Sequence, residues 1–185
     1  MKIIVGITGA SGVIYAKRFL EVFEGEKVVI VSDSAKKVIE YELGNFNVED
    51  FAEEVYDNDE IDAPPASGSY VFDAMVIIPA SMNTVGKIAN GIADTLISRV
   101  ANVALKERRK LIVVFRESPL STINIRNLLT ISECGGIVIP AAPGFYHNPK
   151  KIEDIVDYVV DKVLKALGVN KNLITPWSPL SRFSP

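Results

Sequence analysis

Lys2-Ile3-Ile4-Val5-Gly6-Ile7-Thr8-Gly9-Ala10-Ser11-Gly12 opens the chain with an unbroken apolar run that ends in a glycine-rich turn. Such a run, rich in β-branched residues, reads as a strand buried on both faces, because a strand with one wet face would alternate. Beyond the turn, Ile14, Phe19, Leu20 and Phe23 interleave with Lys17, Arg18 and Glu21, so Val13 to Phe23 reads as a helix with one buried face. The unit is strand, tight turn, helix, and the rest of the chain repeats it. Lys27 to Val31 is a second buried strand, and Ser32-Asp33-Ser34 caps a helix to Leu43, with Gly44 as its C-cap. Ala74 to Ile78 is a strand stopped by Pro79, after which Ser81-Met82-Asn83-Thr84 opens a helix broken near Gly91. Asp94 caps a helix through Lys110. Leu111 to Phe115 and Gly136 to Ile139 are further strands, separated by a helix from Ser121 to Glu133. Asn148-Pro149 starts a last amphipathic helix ending at Gly168. Asn45 to Tyr70 reads as loop with at most one short helix or strand. The expectation is one α/β domain over residues 1–168, a mainly parallel sheet with helices on both faces. Residues 169–185 read as a C-terminal arm, since Thr175-Pro176-Trp177-Ser178-Pro179 cannot be helical.

Composition narrows the function. The chain has 185 residues, enough for one domain but not two catalytic ones. It is 48% apolar and 23% charged, which favours a buried core over disorder. Twenty basic against 23 acidic residues leave a net charge of −3, so the totals demand neither a nucleic acid nor an anionic membrane as partner. One cysteine, Cys134, excludes a disulfide framework and fits a reducing cytoplasm. No Cys/His cluster has zinc-ligand spacing, the apolar N-terminus is too short for a signal-peptide core, and no run approaches the ~18 apolar residues of a membrane span.

In a parallel sheet, ligands bind at the carboxyl ends of the strands. The five loops at those ends are Thr8 to Gly12, Ser32 to Ser34, Pro79 to Thr84, Arg116 to Leu120 and Pro140 to Tyr146, all small, hydroxyl or charged residues. The glycine turn would let backbone N–H groups approach a phosphate at a helix start, or simply be the tight turn that any strand-to-helix junction wants. A second hydroxyl-rich helix start at Ser81 to Thr84 adds weight to a phosphorylated ligand. The Walker pattern is absent. Arg116-Glu117 is the leading catalytic candidate, a carboxylate beside a cation and able to pass a proton, against the alternative of a structural ion pair. The basic run Lys106 to Lys110 reads mainly as complementing a helix dipole, with Lys106 placed to face inward. His147 reads as a turn residue and Cys134 as a small packing residue. Tyr158-Val159-Val160-Asp161-Lys162 has the Tyr-x-x-x-Lys spacing of short-chain reductases. Its context is wrong for one, with no Gly-x-Gly-x-x-Gly and no serine shortly before Tyr158.

Five motifs in order resemble the UbiX-like flavin prenyltransferases. They are Thr8-Gly9-Ala10-Ser11-Gly12, Ala63 to Ser69, Ala104 to Arg109, Arg116-Glu117-Ser118-Pro119-Leu120 and Pro140 to His147. The resemblance spans nearly the whole chain. It implies a flavodoxin-like or Rossmann-like subunit of a dodecamer, with FMN at subunit junctions. It also implies a metal-independent transfer of a dimethylallyl group from dimethylallyl monophosphate to N5 and C6 of reduced FMN, the prenylated FMN then serving a UbiD-like decarboxylase. By position, Gly9, Ala10, Ser11, Ser32, Ser81, Met82, Asn83, Thr84 and Arg116 would contact FMN. Glu42, Lys106, Arg116 and Tyr146 would surround the prenyl phosphate, Lys162 would bind it, Glu117 would handle protons, Ser11 would join the catalytic set, and Trp177 would line the site. Two positions depart from the family pattern: Lys162 stands where an arginine is common, keeping the charge but losing the bidentate fork, and Asn83 stands where lysine or glycine often occurs. Rival readings are an FMN-dependent cysteine decarboxylase-like flavoprotein, whose usual early-helix histidine is missing here, a non-catalytic FMN carrier, and the reductase.

Overall fold

In a computed structural model, which describes residues 1–176, the chain forms six strands, five of them from its apolar runs. They are β1 (Lys2–Ile7), β2 (Glu26–Val31), β3 (Glu54–Asp57), β4 (Ala74–Ala80), β5 (Lys110–Phe115) and β6 (Ile137–Pro140). They make one sheet in the order β3-β2-β1-β4-β5-β6, parallel at every pairing. The chain winds outward from β1 to β3, returns to β4 beside β1, and winds outward again to β6. That is the Rossmann order, and its crevice lies where the winding reverses, between the carboxyl ends of β1 and β4.

The helices are α1 (Val13–Val22), α2 (Asp33–Leu43), α3 (Met82–Ala89), α4 (Leu96–Lys106), α5 (Thr122–Glu133) and α6 (Ile152–Leu167). Strand residues feed two cores by turns. Ile3, Val5, Ile7, Val76 and Val114 pack with α1, α2 and α6, whereas Ile4, Ile30, Ile77 and Val113 pack with α3, α4 and α5. Three helices therefore cover each face, which is why the strands read as continuous apolar runs.

Several boundaries differ from the sequence reading, each for a local reason. The Asn45 to Tyr70 stretch holds the edge strand β3 as well as 3-10 turns at Val48–Phe51 and Pro64–Ala66. Strand β4 runs through Pro79 to Ala80; the register with β5 shifts between Ile77 and Ala80, so no ladder N–H is required of the proline. Helix α4 is capped by Thr95, whose hydroxyl pairs reciprocally with Ser98, while Asp94 is drawn off to Lys87 at 2.8 Å. It ends at Lys106 rather than Lys110, because Arg108 turns to φ 56° and Lys110 already starts β5. Helix α6 starts at Ile152, not at Asn148-Pro149: Asn148 has φ 56°, and Asp154 accepts from the N–H groups of Lys150 (2.8 Å) and Lys151 (3.2 Å). Cys134 is exposed at the C-cap of α5 rather than buried as a packing residue.

One fully buried carboxylate escaped the sequence reading. Asp161 takes the Lys165 ammonium at 2.6 Å and the Leu173 N–H at 3.2 Å, so it ties the segment after α6 back onto the helix. Trp177 lies outside the described residues. Replacing the fully buried Ile77 with alanine is expected to lower stability by about 2–5 kcal/mol, read by urea unfolding, since the core between the sheet and α4 can only partly close around the hole.

Candidate functional site

The loops at the carboxyl edge are linked to one another by hydrogen bonds. At the β1/β4 crevice the buried Thr8 hydroxyl donates to the Pro79 carbonyl (2.8 Å) and accepts from the Ser81 N–H (2.7 Å). Gly9 closes on the neighbouring loop, where a Cβ would collide with the Ser34 side chain. Ser32 caps α2 by accepting from the Ala35 N–H (3.1 Å), and Ser81 caps α3 by accepting from the Thr84 N–H (3.4 Å). Arg116 Nε donates to the Ser11 carbonyl (3.2 Å), drawing the end of β5 over the glycine turn. The turn, the two capped helices and Arg116 are thus one cluster.

Glu42 belongs to the same cluster, in an unforeseen way. Its carboxylate accepts from the N–H groups of Gly12 (2.9 Å) and Val13 (3.1 Å), filling the N-terminus of α1. The helix start offered to a phosphate by the sequence reading is therefore held by a carboxylate, which repels a second anion. The open helix start is that of α3. The first-turn N–H groups of Met82 and Asn83 have no helical carbonyl to take them. The terminal guanidinium nitrogens of Arg116 have no protein partner among the described residues. Nor do Arg116 and Glu117 pair there: Glu117 is exposed, and its Oε1 accepts from the Ser118 N–H at 3.0 Å.

Two predicted groups lie apart from this cluster. Lys106 ends α4 just before β5 begins, whereas Arg116 follows β5, so about 20 Å of strand separates them. Its side chain is 59% exposed, contrary to the inward placement, and pairs with Glu107 at 2.5 Å, a contact that holds the Glu107 carboxyl below its usual range. At this amino edge Lys106 lines a groove of about 480 Å³ with Ala63, Ser67, Gly68, Arg99 and Asn102. Arg99 bonds the Ala66 carbonyl (3.3 Å), and Arg109 bonds those of Tyr70 (2.6 Å) and Gly68 (2.8 Å). The motifs at Ala63 to Ser69 and Ala104 to Arg109 therefore form a unit of their own. Tyr146 and Lys162 make the third group, meeting on the Tyr158 ring. No hydrogen bond, ion pair or ring contact among the described residues joins it to Arg116. Arg99 and Asp161 are working residues to which the sequence reading gave no role; Thr8 and Ser34 stood in the strand-end loops, but nothing in the spacing showed their contacts.

The model of the Flavoprotein family matches residues 1–164. The flavin prenyltransferase UbiX of Thermoplasma acidophilum is 52% identical over 181 residues, covering 96% of this chain and all of that protein. The chain belongs to the UbiX-like flavin prenyltransferases. Among solved structures, AnUbiX (PadA1) in complex with FMN and dimethylallyl pyrophosphate superposes with a TM-score of 0.92 at 36% identity, covering 96% of this chain and 97% of that one. A dodecameric FMN-dependent UbiX-like decarboxylase from Escherichia coli O157:H7 gives 0.91 at 38% identity, covering 96% and 100%.

The carboxyl edge of this UbiX-like chain suits a flavin mononucleotide. A phosphate would meet the free N–H groups at α3 and the Arg116 guanidinium. Because the α1 start depends on Glu42 for its acceptor, Glu42→Ala is expected to cost about 1 kcal/mol of stability by urea unfolding.

Proposed function

We propose that this protein is a flavin prenyltransferase that joins the dimethylallyl group of dimethylallyl monophosphate to N5 and C6 of reduced FMN, with release of inorganic phosphate. The product would pass to a UbiD-like decarboxylase. What carries the reading is the full-length identity of 52% to such an enzyme, on a chain whose carboxyl-edge cluster holds donors for a phosphate and two carboxylates, Glu42 and Glu117, for proton transfer.

Reduced FMN would supply the electron-rich N5 and C6 to which carbon bonds form. The chain's own residues do the rest. Met82, Asn83 and Arg116 hold the flavin phosphate, with the Ser32 and Thr84 hydroxyls beside it. Ser11 and Glu42 share the glycine turn and fix the flavin's reacting edge. Glu117 Oε2, without a partner among the described residues, takes the proton lost from C6. The departing phosphate needs cations, and an allylic cation needs a dry, electron-rich wall. Lys106, Arg116 and Lys162 provide the first, in place of a metal; Tyr146 and, from the arm at 169–185, Trp177 provide the second.

Since Lys106 and Arg116 sit at opposite edges of one sheet, they serve one substrate only if different copies meet. The proposal therefore includes a homo-oligomer, of the dodecameric kind, with the site at a junction. Exposed apolar side chains are at hand on α5, where Ile125 and Leu129, one turn apart on one face, are 54% and 55% exposed. The lone Cys134 supports a reducing compartment, the cytoplasm. Among the described residues no helix is long and apolar enough to cross a membrane.

The test is anaerobic incubation with FMN, dithionite and dimethylallyl monophosphate, followed by flavin mass spectrometry. A gain of C5H8 is expected, and bound FMN of unchanged mass refutes the activity. Glu117→Gln is expected to keep FMN binding while slowing product formation by about 100-fold or more, checked by stopped-flow absorbance. Light scattering should give a mass many times the 20.2 kDa of one chain, and a monomer would refute the shared site.

A further inference from the structure

The Tyr158-x-x-x-Lys162 spacing finds no reductase around it, yet the two side chains are in contact. We propose that Tyr158 is a positioning residue: its ring is a platform that fixes the Lys162 ammonium on one side and the Tyr146 loop on the other. This rests on the role proposed above for Tyr146 and Lys162 at the prenyl phosphate.

Residues four apart on a helix lie one above the other, and the later side chain leans back toward the N-terminus. Lys162 accordingly places Nζ over the Tyr158 ring, 5.2 Å from its centroid, within cation–π range. The aspartates of α6 are engaged elsewhere. Asp154 caps the helix through Lys150 and Lys151, Asp157 holds Arg18 at 2.6 Å, and Asp161 holds Lys165. Among the described residues Lys162 has no acidic partner. The difference matters for an anionic substrate: a carboxylate partner must be displaced before a phosphate binds, whereas a neutral ring orients the ammonium and leaves its charge available.

The same ring carries the loop after β6. A Cβ at Gly144 would sit 2.9 Å from both Cζ and the hydroxyl oxygen of Tyr158, so loop backbone rests directly on the ring. His147 stacks on Tyr158 with centroids 5.5 Å apart and planes 19° from parallel. Its Nε2 is 3.1 Å from the Asp154 carbonyl, which can only accept, so Nε2 carries the proton and the buried Nδ1 is left without a partner. Tyr146 meets the Tyr158 ring edge-on at 5.8 Å and 74°. Gly144, Tyr146 and His147 from the loop, and Lys162 from the helix, thus share one side chain. Nothing else joins Tyr146 to Lys162 among the described residues.

The experiment measures dimethylallyl monophosphate affinity by calorimetry on FMN-loaded protein, alongside product formation. Tyr158→Phe keeps the ring and should bind within twofold of the parent. Tyr158→Leu should weaken binding about 5- to 30-fold while FMN affinity stays within twofold. In a Lys162→Met background, Tyr158→Leu should cost several-fold less than it does in the parent, because the platform then holds only the Tyr146 loop and no ammonium. An equal loss with and without Lys162, or no loss at all, overturns the proposal. Should Tyr158→Leu fail to fold, Gly144→Ala lifts the loop off the ring and is expected to weaken binding in the same range; unchanged affinity overturns the platform. A parent that binds the donor but makes no prenylated flavin refutes the enzymatic reading alone, and one that does not bind it refutes both.

Discussion

Parallel pairing of all six strands is the constraint from which the rest follows. Strands that share a direction end at one edge, so every strand-to-helix loop after them is delivered there. The reversal of winding between β1 and β4 opens the crevice, and the Thr8 hydroxyl spans it, bonded to both sides of β4's exit. The same constraint acts in reverse on helix-to-strand loops, which collect at the opposite edge. That is why Lys106 and the Ala63 to Ser69 motif lie together and away from Arg116. A single copy cannot close that gap without unmaking the sheet, so the proposed activity and the proposed assembly are one claim.

Electrostatics at the carboxyl edge divides the work between helix starts. The α1 start, with the glycine turn before it, is neutralised from within by Glu42, whereas the α3 start keeps its N–H groups. An anion arriving at this edge is therefore directed toward Ser81 and Arg116 and away from the glycine turn. At that turn a phosphate would stand against a carboxylate. On α6 the same economy of charge recurs. Its aspartates are committed to Arg18, Lys165 and the helix cap, and Lys162 is left on an aromatic face.

The layered fold was readable because burial on both faces leaves long apolar runs that no other environment tolerates; β1, β2, β4 and β5 were placed to within two residues at each end. Caps were harder. Asp94 and Thr95 are both good N-caps, and the choice fell to Thr95 because Lys87, eight residues before it and on another helix, takes Asp94. Short β3 has no such apolar run, being a half-wet edge strand of Glu-Val-Tyr-Asp. Of the site, the loops and their chemistry were visible in order along the chain, but their grouping was not. Glu42 reaching back to Gly12 joins residues 30 apart, and the separation of Lys106 from Arg116 depends on strand direction. Neither leaves a mark in local pattern. The Tyr158–Lys162 spacing was visible and its reductase reading fell on context, but four residues on a helix fix proximity without saying what chemistry uses it.

The claim that one catalytic site draws on both edges of the sheet, and so on different copies, is most directly tested by mixing two inactive variants. Lys106→Ala damages the amino edge and Arg116→Ala the carboxyl edge. When the two are dissociated, mixed in equal amounts and reassembled, roughly a quarter of the junctions should combine an intact Lys106 with an intact Arg116. Prenylated FMN should then form at about that fraction of the parent rate, although neither variant makes it alone. A mixture that stays inactive, while native mass spectrometry shows the two variants sharing oligomers, would contradict the shared site.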